Sequence, residues 1–169
     1  MRCVRFEEQG RARIGFIDGD VIRAVYGSID TYWRMTDEVF PLAGAKLLAP
    51  CVPKQIICVG FNYRDHAREF HVDVPKEPAL FTKAAHTVIG NDGKIIYPRQ
   101  SHEVVYEAEL GVVIKKRMKD VAPEDVPDYI LGYTCANDVT ARDLQLSDVQ
   151  WLRLSLIHIS EPTRLRCIS

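Results

Sequence analysis

The sequence predicts an α+β fold that is mainly β, and three observations carry that prediction. Short runs of branched and aromatic residues near the N-terminus are separated by tight turn signals. A cluster of prolines and a glycine then interrupts the chain before residue 54. Beyond it, apolar runs of about five residues recur, a length that suits strands better than helices. Residues 4–6, 13–17 and 21–25 read as three strands, with Asp18-Gly19-Asp20 as the turn between the last two, which makes a β-meander. Residues 28–40 are more polar, and Ile29, Tyr32 and Trp33 at near-helical spacing predict a short helix. Pro41, Gly44, Pro50 and Pro53 place a boundary near residue 50, so residues 1–49 are expected to form a small β-rich N-terminal domain. The second unit opens on a buried-looking strand at 55–59. A short helix is expected at 63–70 and strands at 80–83 and 94–97, with a helix start at Pro123-Glu124-Asp125 before a strand at 129–137.

Composition narrows the class. With 169 residues, 47% hydrophobic and 27% charged, the chain is an ordinary globular protein with a formal charge of −1. No basic surplus points to nucleic acid or an anionic membrane surface. The apolar runs are too short to span a bilayer and the N-terminus lacks a secretory apolar segment, which leaves the cytoplasm as the expected location. Cys3, Cys51, Cys58 and Cys135 show no Cys-x-x-Cys spacing and are read as structural thiols.

Chemistry concentrates in Tyr106-Glu107-Ala108-Glu109-Leu110, followed downstream by Asn137-Asp138. In a strand, side chains two apart share a face at about 6.5–7 Å, so Glu107 and Glu109 would project together. On a half-buried face they repel each other and lose hydration. A hard divalent cation removes that difficulty, and Asp138 can be a third ligand. An isolated Glu-x-Glu is more often a solvent-facing pair, and spacing alone favours that reading.

The surroundings of the pair change the balance. Gly60, Asn62, Tyr63, His66 and Glu69 form a Gly-x-Asn-Tyr-x-x-His-x-x-Glu stretch. Phe81 and Lys83 follow as Phe-x-Lys, Glu107 to Leu110 as Glu-x-Glu-Leu, and Asn137, Asp138, Arg142, Asp143 and Gln145 as Asn-Asp-x-x-x-Arg-Asp-x-Gln. Four motifs in this order resemble the fumarylacetoacetate hydrolase family, over roughly residues 1–153. The resemblance implies a mixed β-roll or barrel-like catalytic domain, begun at residues 50–153, behind a small β-rich N-terminal domain. It assigns Glu107, Glu109 and Asp138 to a metal, with His66 as base and Glu69 orienting it. Arg142, Gln145 and Lys83 become candidates for substrate contact.

The residues bear on each role separately. On a helix, His66 and Glu69 share a face, and a carboxylate raises imidazole basicity and fixes its tautomer; without the resemblance, such a pair is more often a solvated one. Three carboxylates leave about three of six octahedral positions open, a pattern that suits Mg²⁺, or Mn²⁺, rather than a closed structural site. Arg142 can grip a substrate carboxylate bidentately, or it can pair with Asp143 or Asp148. For Lys83, substrate contact and a structural role stand equal. His71, His86 and His102 are read as loop or surface residues.

The resemblance implies metal-dependent hydrolysis of a carbon–carbon bond in an acylpyruvate or related 2-oxo or 1,3-dicarbonyl acid. On the same site it also implies decarboxylation of oxaloacetate-like acids or isomerisation of unsaturated 2-oxo dioic acids. The expected partner is a small 2-oxo acid, and the expected assembly a homodimer. A different class, a stand-alone metal-binding or structural domain, remains if the chain ends where it is written. Two departures bear on this. Ala84-Ala85 stands where the family usually has Pro. After Trp151-Leu152-Arg153, a Lys-Ser-Phe-Asp-like segment is missing, and residues 154–169 resemble a translated sequencing adaptor. They are read as a non-native tail on a chain cut short near Arg153, and as a product expected to be inactive. Setting aside Arg164, Arg166 and Glu161 leaves 20 basic and 22 acidic residues.

Overall fold

The structure, a computed structural model, describes residues 1–148, residue 151 and the backbone of residues 163–166. Strands β1 (Arg2–Glu8), β2 (Arg11–Asp18) and β3 (Val21–Gly27) form the expected meander, joined antiparallel in register Cys3↔Phe16 and Ile17↔Ile22. Both faces of this meander are covered. Cys3, Phe16 and Val25 form one cluster with Trp33, and Val4, Phe6, Ile17 and Ile22 form the other with Phe40 and Leu47.

Residues 28–40 are not a helix. They make a turn and then β4 (Trp33–Pro41), which pairs with β3 across a bulge between Arg23 and Val25. The helical reading counted Ile29, Tyr32 and Trp33 as one stripe. In the structure Trp33 lies against Phe16 at 5.0 Å and Phe40 against Phe6 at 5.3 Å, on opposite faces of the sheet. An extended segment with large apolar residues an odd number of positions apart can serve both faces, which a single helical face cannot.

The turn into β4 depends on Gly27. Its φ is +98°, a Cβ there would collide with the Tyr32 carbonyl oxygen, and that oxygen accepts the Ser28 N–H at 2.9 Å. We expect Gly27→Ala to lower stability by on the order of 2 kcal/mol, read as a shifted urea midpoint. A loss below about 0.5 kcal/mol would mean that the turn accommodates a side chain.

Strand β5 (Lys46–Leu48) pairs with β1. Strand β6 (Ile56–Gly60) leads into α1 (Arg64–Glu69) and pairs with β7 (Ala79–Lys83). The expected burial of β6 is only half realised, since Ile57 and Val59 are exposed. Residues 94–97 are not a strand: Ile96 and Tyr97 are exposed, and no strand pairing is found there among the described residues. Strand β8 (Val104–Val105) precedes β9 (Ala108–Ile114), which pairs with β10 (Ile130–Asn137). The helix start at Pro123 is a 3-10 helix over Pro123–Tyr129, with Pro127 inside it, and it delivers the chain into β10. Strand β11 (Thr140–Ala141) pairs with β8, and α2 (Arg142–Ser147) follows at once.

Strand β12 (Thr163–Arg166) lies antiparallel between β1 and β10, in the segment read as a non-native tail. Backbone pairing needs no particular side chains, so four extended residues can satisfy edge groups of β1 and β10. The main sheet, among the described residues, runs β4-β3-β2-β1-β12-β10-β9. Strand β9 is its edge, with Leu110, Val112 and Ile114 exposed on one side. Val113, on the other, packs against the Cys3 cluster. No helix among the described residues is long and apolar enough to cross a membrane.

Candidate active site

The ends of β6, β9 and β10 and the starts of α1 and α2 surround a cleft of about 350 Å³. His66, Glu69, Glu107, Glu109, Asp138, Arg142 and Gln145 all line it, together with Phe61, Tyr63, Thr140 and Trp151. Of the sequence-predicted site residues, Lys83 alone is not in the lining.

Local sequence explains how His66 arrives. After Gly60, Phe61 takes a left-handed φ of 52°, an uncommon conformation for a bulky residue. That turn starts α1 within four residues of β6. The Phe61 ring lies 6.0 Å from the His66 ring and Phe70 4.9 Å from it, so the imidazole sits among aromatic walls. His66 Nδ1 is 3.4 Å from Glu69 Oε2, while Nε2 is 4.0 Å from Glu107 Oε2. Glu69 is largely exposed, at 74%. The Tyr63 hydroxyl accepts the Leu110 N–H at 2.9 Å and so ties the start of α1 to β9.

The acidic side is built across a long sequence gap. Asn137 Oδ1 accepts the Glu107 N–H at 3.1 Å, and the Asp138 N–H donates to the Glu107 carbonyl at 2.8 Å. Glu107 is also held by Arg142, whose Nη2 lies 2.6 Å from Oε1. Arg142 bonds Gln145 Oε1 and packs over Phe70 at 4.8 Å. It therefore pairs with Glu107 and Gln145, where the sequence alone offered Asp143 or Asp148 as partners. Lys83 forms an ion pair with Asp138, with side chains only 5% and 7% exposed. Neither Lys83 Nζ nor Asp138 Oδ1 completes a hydrogen bond of normal geometry. Lys83 thus reaches the cleft through Asp138. Among the described residues no cation forms an ion pair with Glu109; burial first, then Asp138 and Glu107, push its carboxyl up to about 7 against the smaller opposing pull of Lys83. Nearby, burial pushes the Cys58 thiol up to about 12, which keeps it an unreactive thiol. Cys135, read as a structural thiol, is exposed.

These residues can be tested against a hard divalent cation. The donors are all carboxylate oxygens, and Glu109 is crowded by like charge. That donor chemistry fits. The geometry is not a ready-made cage, because among the described residues no three acidic, His or Cys side chains converge at ligand spacing. Arg142 and Lys83 draw Glu107 and Asp138 towards themselves.

Sequence reasoning missed Phe61, Thr140 and Trp151 as lining residues and Phe70 as a wall of the His66 imidazole. An aromatic before a predicted helix carries no special signal. Tyr63 and Asn137 were visible as motif positions, though their bonds were not.

A strand-rich α+β unit with a small β-rich domain before it, opening on an acidic cleft with a His–Glu pair, defines the class of protein. Residues 55–162 match the family model described as fumarylacetoacetate (FAA) hydrolase C-terminal, and residues 1–50 match Rv2993c-like, N-terminal. The chain belongs to the fumarylacetoacetate hydrolase family. An uncharacterized protein of Archaeoglobus fulgidus is 55% identical over 113 residues, 67% of this chain and 45% of that protein. The mitochondrial oxaloacetate tautomerase FAHD2A of Bos taurus is 40% identical over 152 residues, 88% of this chain and 45% of the relative. The crystal structure of 2-hydroxyhepta-2,4-diene-1,7-dioate isomerase from Mycobacterium marinum superposes with a TM-score of 0.87 at 30% identity. It covers all of this chain, which spans 67% of that one. The chain spans less than half the length of the two curated relatives.

Proposed function

We propose that the whole protein hydrolyses a carbon–carbon bond in an acylpyruvate or related 2-oxo, 1,3-dicarbonyl acid, with Glu107, Glu109 and Asp138 holding Mg²⁺ or Mn²⁺. The observation that carries this reading is the His66–Glu69 pair, set among aromatic walls beside the acidic side of the cleft. When bound, the ion supplies electrostatic stabilisation for negative charge developing on the 2-oxo acid. Everything else falls to this chain's side chains. Glu69 fixes the His66 tautomer through Nδ1 and leaves Nε2 to take a proton from water. The resulting hydroxide adds to the distal carbonyl; the carbon–carbon bond then breaks with its electron pair passing to the 2-oxo fragment as an enolate. Protonation of that enolate by His66 gives the 2-oxo acid and returns the base. Arg142, with Gln145 beside it, offers a fork for the substrate carboxylate. Phe61, Phe70 and Trp151 limit water around the base.

A second reading is favoured by the relatives that bear the names tautomerase and isomerase. In it the same His66 moves a proton between carbon and oxygen of a 2-oxo dioic acid without adding water.

In the whole protein, His66→Ala should cost at least about a hundredfold in acylpyruvate hydrolysis while Mg²⁺ and oxalate still bind. Near-normal hydrolysis would remove His66 from the role of base. Rapid enol–keto exchange of oxaloacetate, with no cleavage of any acylpyruvate by the unmodified protein, would select the second reading.

A further inference from the structure

We infer that Asp143 is a positioning residue: it fastens residues 101–103 to the first turn of α2 and thereby aims Arg142 and Gln145 into the cleft. The inference rests on the proposed reading of Arg142 as the partner of a substrate carboxylate.

The Asp143 carboxylate gathers donors from two segments about forty positions apart. Oδ1 accepts the Ser101 hydroxyl at 2.6 Å and the Leu144 N–H at 2.9 Å, and Oδ2 accepts the His102 N–H at 2.8 Å. Ser101 is buried, and its hydroxyl also accepts the Glu103 N–H at 3.2 Å. The backbone continues the fastening: the Arg142 N–H donates to the Glu103 carbonyl at 2.8 Å, and β8 pairs with β11 in register Val104↔Ala141 and Val105↔Thr140. Residues 101–105 are thus zipped to residues 140–144, with Asp143 as the side-chain clasp at the open end. The His102 amide, then the Ser101 hydroxyl, hold the Asp143 carboxyl below its ordinary range, as expected for a carboxylate that accepts several donors.

The clasp matters because α2 is weakly held otherwise. It has six residues, no side-chain hydrogen bond at its N-cap and no buried residue. So short a helix has little stability of its own. Yet Arg142, its first residue, must hold a fixed line across Phe70 to Glu107. The residues fastened by the clasp run directly into Tyr106 and Glu107, so one carboxylate sets the spacing between an acidic cleft residue and the guanidinium that faces it. Asp143 itself does not line the cleft, which separates positioning from direct contact.

The test uses the 169-residue chain with Asp143→Ala, the milder Asp143→Asn and Ser101→Ala, read by the Arg142 side-chain NMR signal and by oxalate binding in saturating Mg²⁺. In Asp143→Ala, the Arg142 Nε–H signal should move towards the value of a free guanidinium while the Arg5 signal, held by the Ala49 carbonyl, stays put. Asp143→Asn keeps one acceptor oxygen and should fall between. Oxalate affinity should drop about tenfold in Asp143→Ala. In an Arg142→Gln background, that drop should vanish, since a residue acting through Arg142 has nothing left to position. If Asp143→Ala does not fold, Ser101→Ala, which removes one of the three bonds, must still shift the Arg142 signal. An unmoved Arg142 signal in every variant that folds overturns the inference. A moved signal with Arg142→Gln leaving oxalate affinity unchanged upholds the positioning and instead overturns the assignment of Arg142 to the carboxylate.

Discussion

Lys83→Met is expected to cost about 3–5 kcal/mol of folding stability, the scale seen when one partner of a buried ion pair is removed. The side chain lost is close in volume, so packing changes little. The electrostatics change a great deal: Asp138 is left buried without its counter-cation, beside Glu109 and Glu107. Urea unfolding of the single variant should show a large fall in midpoint. The double variant Lys83→Met/Asp138→Asn should recover most of it, because no uncompensated charge remains. A single-variant cost under about 1 kcal/mol would place this pair in the category of solvated ion pairs and would contradict its burial. The same experiment separates the two readings of Lys83 that the sequence left equal, since a residue held only for substrate contact would not carry such a cost.

The second large effect is expected at Glu109. Its carboxyl is raised to about 7 in the folded protein, above its value in an unfolded chain. The ionised form is therefore disfavoured by folding. That penalty is absent below the unfolded value near 4.5, grows as pH rises towards 7 and is constant above. Glu109→Gln should abolish this slope and, at neutral pH without added metal, stabilise the chain by roughly 1–2 kcal/mol once solvent screening is allowed for. With Mg²⁺ or Mn²⁺ the sign reverses. A cation that binds the folded state raises the melting temperature of the unsubstituted chain, and the rise should increase between pH 5 and about 7 as Glu109 ionises. Glu109→Gln should lose that rise. If the metal-induced shift survives in Glu107→Gln, Glu109→Gln and Asp138→Asn alike, these carboxylates are not the ligands.

What could be read from the sequence depended on how local the determining interaction was. His66 and Glu69 were legible because three residues on a helix make neighbours, and α1 forms where the pattern puts it. The meander was legible because each turn falls between runs of strand-forming residues. Residues 28–40 were misread because the two aromatics that fix them, Trp33 and Phe40, answer to opposite faces of a sheet that only forms when distant strands pair. Residues 94–97 have strand-forming residues but no partner strand among the described residues, and a strand's backbone groups need one. The meeting of Glu107 with Arg142 and of Lys83 with Asp138 was beyond any local pattern. It depends on β10 laying Asp138 against Glu107, and on β11 pairing with β8. For those residues the resemblance supplied the motif positions, and neither it nor the spacing disclosed that two tethered cations already engage two of the three carboxylates.

The outer side of β9 has a consequence for how this chain would fare in a cell. Leu110, Val112 and Ile114 present a row of aliphatic side chains to solvent, on the strand that ends the main sheet among the described residues. Such a surface is what holdase chaperones and quality-control proteases recognise in a nascent polypeptide. The abundance of the 169-residue product would then be governed by clearance and self-association rather than by its cleft chemistry, and growth temperature would matter more to its yield than any substitution at His66 or Glu109.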